Sequence, residues 1–184
     1  MGKYLLAISL MMSAAAADLT YWIEPCTHPE TGCVAGDLEL GRWALEAWQS
    51  AAQGRIHLAP ADREHARLRM VWALPEDGLY GETVPIRVNG QPGAQINIRI
   101  VDTGTDDKLM RDTVVYLTCL HESGHALGLP HTRGFADIMY SFQFGGDIPE
   151  YFGRYRRKLA SREDIRKNSG LSADDRAHLL EALK

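Results

Sequence analysis

A chain of 184 residues, 45% hydrophobic and 24% charged, has the size and balance of one globular domain with its own core, which excludes a string of domains and a disordered polymer. Its formal net charge of −4 offers no polycationic surface, and no nucleic-acid partner is expected.

The chain begins with a targeting pattern. Lys3 gives a positive start, Tyr4 to Met12 is an apolar run, and Ser13 to Ala17 are small residues suited to cleavage, so residues 1–17 are expected to be a secretory signal peptide. The run is far short of the roughly 20 apolar residues that a spanning helix needs. No later stretch is long enough either, and the mature chain is expected not to span a membrane. Cleavage after Ala17 removes 17 of 184 residues, leaving 167 that start at Asp18, and the loss of Lys3 takes the charge from −4 to −5. The expected destination is the cell exterior or a periplasm, where disulfides persist.

Leu19 to Glu24 alternates and is rich in β-formers, which predicts a first strand. Cys26 and Cys33 follow in the loop PCTHPETGC, where a small ring closes without breaking regular structure, and they are expected to pair. A ring of this size contributes roughly 2.5 kcal/mol in the chain-entropy model. Asp37 to Ala52 reads as a helix with Ala44, Ala47, Trp48 and Ala51 on one side. Strands are expected over Arg55 to Ala59 and Ala66 to Ala73, a short edge strand over Thr83 to Val88 among glycines and prolines, and a further strand over Gln95 to Asp102. The turn VDTGTDD then collects side-chain oxygens. Calcium (Ca2+) is one use for them, but helix capping is the cheaper one and calcium stands unsupported. Asp107 to Leu127 reads as a long helix stopped by Gly128, and Ala173 to Leu183 as a last helix with Ser172 and Asp175 as a capping box.

Residues 121–131 read HESGHALGLPH. Two histidines four apart stack on one helix face, so His121 and His125 can reach one ion. A catalytic zinc site asks for a third protein ligand and an open fourth position. His131 can be that ligand, because Gly128 can take the left-handed conformation that ends the helix and turns the chain back. Glu122 projects beside the ion, where it can act as general base on a water that zinc (Zn2+) polarises and then return the proton to a leaving amine. Cys119 lies two residues before His121, about 200° round the helix from it, and is expected to be a buried structural thiol. His28, His57, His65 and His178 show no ligand spacing.

HESGHALGLPH resembles the metzincin zinc endopeptidases, and Met139 in ADIMY, eight residues after His131, resembles their Met-turn. The wording GHALGLPH and the Met139-Tyr140 pair are most similar to the matrixin branch. The resemblance implies an α+β fold with a twisted mixed sheet and three helices, an active-site cleft between upper and lower subdomains, residues 18–184 as one catalytic domain, and a protein or peptide substrate. Ser141 stands where matrixins usually continue with proline. No histidine lies between Pro75 and Asp102, so the family's second, structural zinc is not expected.

Two other functions compete: a zinc-containing binding module without turnover, and a zinc hydrolase acting on something other than peptide bonds. Retention of Glu122 beside an open site argues against the first, and fold and metal alone do not fix the substrate. The stretch from Gly153 to Asn168 carries Arg154, Arg156, Arg157, Lys158, Arg162, Arg166 and Lys167 against Glu163 and Asp164. It reads either as a solvated helical face or as a patch that steers acidic peptides to the cleft.

Overall fold

The computed structural model describes residues 17–184 except Asp77, so the expected signal segment lies, but for Ala17, outside the described residues. The fold is α+β: five strands, β1 (Ala17–Ile23), β2 (Ile56–Pro60), β3 (Leu68–Ala73), β4 (Gly81–Val88) and β5 (Gln91–Arg99), with helices α1 (Asp37–Ala51), α2 (Lys108–Ala126), α3 (Ile148–Arg156), α4 (Asp164–Lys167) and α5 (Ala173–Ala182). The expectation of three helices is corrected to five among the described residues, since α3 and α4 fall between the expected long helix and the last one, where the sequence offers a solvated helical face over Gly153 to Asn168 as one of two readings. Asp147 caps α3 by accepting from Glu150 N at 2.9 Å, and Tyr151, Phe152 and Tyr155 bury its inner face.

The sheet order is β2-β1-β3-β5-β4. The first four strands run parallel and β4 joins antiparallel at the edge. β4 and β5 form a hairpin across Asn89 and Gly90, both at positive φ, as the tight primed turn requires. Pro85 is tolerated because β4 is an edge strand. Pro92 is tolerated because β5 meets β3 only from Ala94 onward.

Met70, Trp72, Ile96 and Ile98 point from one sheet face into a core shared with Leu40, Ala44 and Trp48 of α1 and Val114, Leu117 and Leu120 of α2. Trp48 Nε1 donates to Leu120 O at 2.8 Å, which satisfies a buried donor and fixes α1 against α2. Cys26 and Cys33 are joined, and Cys119 is fully buried; burial pushes its thiol well above the usual range, as suits a packed, unreactive side chain. Among the described residues no helix is long and apolar enough to cross a membrane.

Candidate metal centre

α2 is capped at its N-terminus by Asp107, whose carboxylate accepts from Leu109 N at 3.0 Å and Met110 N at 3.2 Å. The same carboxylate pairs with Arg156 at 2.9 Å, so capping and pairing account for this member of the aspartate-rich turn. The helix ends in a Schellman arrangement. Gly128, at φ 91°, donates to His125 O at 2.9 Å, and Leu129 N donates to Gly124 O at 3.0 Å. That turn carries the chain back to His131.

Backbone carbonyls orient two of the imidazoles. His121 Nδ1 lies 2.6 Å from Ile138 O and His125 Nδ1 lies 2.8 Å from Leu129 O. A carbonyl only accepts, so each Nδ1 carries the proton and each Nε2 is left with its lone pair. Those Nε2 atoms lie 3.2 and 3.1 Å from His131 Nε2. Where His131 too carries its proton on Nδ1, three lone pairs converge, and they repel unless a cation sits among them. Tetrahedral zinc with bonds of roughly 2.0–2.1 Å sets nitrogen ligands about 3.3 Å apart, so the donor set and its spacing fit that ion. Burial, reinforced by the neighbouring rings, pushes His121 down to about 4. His131 is lowered too, by burial and then by His125. Neutral imidazoles are what a metal needs.

Glu122 is 6% exposed. Burial pushes its carboxyl up to about 7 against the opposing pull of a hydrogen bond from Thr83, with Glu82 adding to the rise and Arg99 lowering it. A dication among the imidazoles would act in the opposite direction and favour the carboxylate.

The turn beneath the histidines is held by groups distant in sequence. Met139 is 1% exposed and packs on Gly124, where a Cβ would lie 2.4 Å from the Met139 sulfur. Asp175 accepts from Ile138 N at 2.8 Å and Met139 N at 3.3 Å. Asp137 accepts from Thr132 Oγ1 and from Ser172 Oγ, both at 2.8 Å. Tyr140 donates to Gly145 O at 2.7 Å, which gives its hydroxyl a structural partner.

A cleft of about 740 Å3 runs past the three histidines, between the 78–85 segment and the chain beyond Gly128. Leu117, Thr118, Tyr151 and Phe152 line it together with Ser141, Phe142 and Gln143. The structure thus gathers His121, Glu122, His125 and His131 in one place, while His28, His57, His65 and His178 are exposed elsewhere. Thr83, Gly81, Asp137 and Asp175 were not singled out as site residues from sequence; only the capping pattern at Asp175 gave a local signal. Five of the basic residues in the 153–168 stretch have acidic partners: Arg156 with Asp107, Arg157 with Glu150, Arg162 with Glu39 and Asp112, Arg166 with Glu46, and Lys167 with Asp164. None of the seven lines the cleft. This favours the solvated, paired face over the steering patch.

No protein-family model matches the chain, and no curated protein matches it.

Proposed function

We propose that the chain is an exported zinc-dependent endopeptidase, similar to the metzincins and among them to the matrixins. The observation that carries this is the convergence of three imidazole Nε2 atoms at 3.1 and 3.2 Å in an open cleft with the Glu122 carboxylate beside them. His121, His125 and His131 would hold the ion. When bound, zinc supplies Lewis acidity, lowering the pKa of a coordinated water to about 7 and polarising a substrate carbonyl. Glu122 takes a proton at its carboxylate and gives it to the departing amine.

Peptide is the substrate class that the surroundings favour over other hydrolysable groups. β4 is an edge strand, with Gly81, Glu82, Thr83 and Pro85 along the cleft, and an unpaired edge takes up an extended chain through main-chain hydrogen bonds. Leu117 of α2 and Tyr151 and Phe152 of α3 line the cleft and offer apolar surface to a side chain next to the scissile bond. Export to the exterior or a periplasm is supported by the pattern of residues 1–17 and by the Cys26–Cys33 bond.

Incubating the purified protein with unfolded casein tests the proposal. Cleavage is expected, lost on chelation and restored by zinc. Tight zinc without cleavage would mean a binding module, and hydrolysis confined to non-peptide esters or amides would mean a different hydrolase.

A further inference from the structure

Alternate residues of a strand face the same way, and Gly81 and Thr83 of β4 both face Glu122 of α2. A Cβ at position 81 would lie 2.6 Å from Glu122 Cγ, 2.9 Å from Oε1 and 3.0 Å from Cδ. The glutamate therefore fills the space that a side chain at 81 would need. Gly81 is not among the glycines at positive φ, so what glycine supplies here is room, not conformational freedom.

Thr83 contributes the second half of the arrangement. Its Oγ1 is placed to donate to two oxygens of the same residue, Glu122 Oε2 at 2.8 Å and the Glu122 main-chain oxygen at 2.9 Å. The hydroxyl has one proton, shared between these two acceptors, and it sits between the tip of the side chain and its own backbone, which removes rotamers that the glutamate would otherwise sample. Glu122 Oε1 has no hydrogen-bond partner among the described residues, and Glu122 lines the cleft, so Oε1 is the oxygen left without a tether.

We propose that Gly81 and Thr83 are positioning residues that form a slot for the general base, anchoring Oε2 so that the proton transfers of the reaction run through Oε1. This rests on the proposed peptidase reading and deepens it. A preset carboxylate avoids spending substrate binding energy on orienting the base at each turnover. The two residues act by different means, so they can be tested separately.

Three variants are needed. Thr83→Val keeps the shape and removes the donor, Thr83→Ser keeps the donor, and Gly81→Ala adds bulk while leaving every hydrogen bond of Thr83 chemically available. Thr83→Val should lower kcat by about 10- to 100-fold, the range for a hydrogen bond to a charged group, and Gly81→Ala should lower it by up to about 100-fold, the order of loss for a catalytic group misplaced by about 1 Å. KM and zinc stoichiometry should stay near the parent, and Thr83→Ser should recover most of the loss. Crystal structures of the metal-free variants give a readout independent of turnover: the Glu122 carboxylate should leave its parent position in Thr83→Val and Gly81→Ala and keep it in Thr83→Ser. An unmoved carboxylate in both, or unchanged kcat in both beside an inactive Glu122→Gln, overturns the slot. Full activity of Glu122→Gln would instead overturn the peptidase mechanism, and the crystallographic comparison would still decide whether the slot positions the side chain. If Thr83→Val fails to fold, Gly81→Ala and Thr83→Ser decide by the same measurements.

Discussion

Ile138 N donates to the Asp175 carboxylate at 2.8 Å, while the carbonyl of the same Ile138 accepts from His121 Nδ1 at 2.6 Å. The capping residue of the last helix is therefore one residue removed from the first proposed metal ligand. Asp175 is fully buried, and its charge is answered by the N–H groups of Ser172, Ile138 and Met139. Asp175→Ala leaves three donors without an acceptor, two of them buried, and it should cost about 3–5 kcal/mol of stability. It should also loosen the carbonyl that orients His121 and weaken zinc binding about 10- to 100-fold. Denaturant unfolding and competition with a chelator measure the two effects; parent-like values in both would remove Asp175 from the support of the site.

Gly124 and Met139 make a second test of that support. A Cβ at 124 would lie 2.4 Å from the Met139 sulfur and 3.0 Å from Trp48 Cζ2. Trp48 is tethered by its bond to Leu120 O and has little room to retreat. Gly124→Ala gains about 1 kcal/mol in helix propensity but incurs about 1–3 kcal/mol of overpacking, so a net loss is expected. Met139→Ala alone should cost about 2–5 kcal/mol through the cavity it leaves. In the double variant the new methyl enters that cavity. The double should be less destabilised than the two single losses added together, and strict additivity would show that the residues do not press on each other.

His121, Glu122, His125 and His131 were legible because helical spacing is a local property and the motif packs its information into eleven consecutive residues. The same holds for the ends of α2 and α5, where Asp107, Gly128, Ser172 and Asp175 do in the structure what cap residues do in general. β5 begins at Gln91, four residues before the expected Gln95, because Pro92 and Gly93 read as loop in the sequence. The Asn89-Gly90 pair held the hairpin signal. The start of helix α3 is hard to read because its inner face is only Tyr151, Phe152 and Tyr155, and the charges at its end are answered by Glu150 nearby, for Arg157, and Asp107 far away, for Arg156. Thr83 and Asp137 were illegible for a related reason. Their partners, Glu122 and Ser172, lie 39 and 35 positions away, and no local pattern encodes a contact of that length.

The pairing of the 153–168 stretch predicts that its charge has little influence on substrate choice. Arg156 and Arg157 are engaged by Asp107 and Glu150, and only Lys158 of the three lacks an acidic partner among the described residues. Neutralising Arg156, Arg157 and Lys158 together should leave the ratio of kcat/KM for acidic and neutral peptides unchanged at low and at physiological salt. Stability should fall only slightly, since surface pairs contribute about 0–1 kcal/mol each. A preference for acidic peptides that vanished in the triple variant would restore a steering role for this face.

Burial moves His121 and Glu122 in opposite directions, and the metal-free protein should reveal this in how its stability varies with pH. With His121 held down at about 4, an unfolded chain titrating near 6.5 binds a proton that the folded chain refuses throughout the interval between. Folding is therefore favoured more strongly as pH rises from about 4 to 6.5, and the lowered His131 works in the same direction. Glu122 does the reverse. Its carboxyl is held up at about 7, so between its ordinary 4.5 and about 7 the folded chain keeps a proton that the unfolded chain has released, and stability declines as pH rises. In the parent protein the two effects oppose each other from about 4.5 to 6.5. Glu122→Gln removes the declining contribution and leaves the rising one. In the presence of a chelator, the denaturation midpoint of Glu122→Gln should climb more steeply than that of the parent over this interval, and His121→Ala in the same background should flatten the climb. Parallel curves for parent and Glu122→Gln would mean that Glu122 releases its proton in the folded state as readily as in the unfolded one.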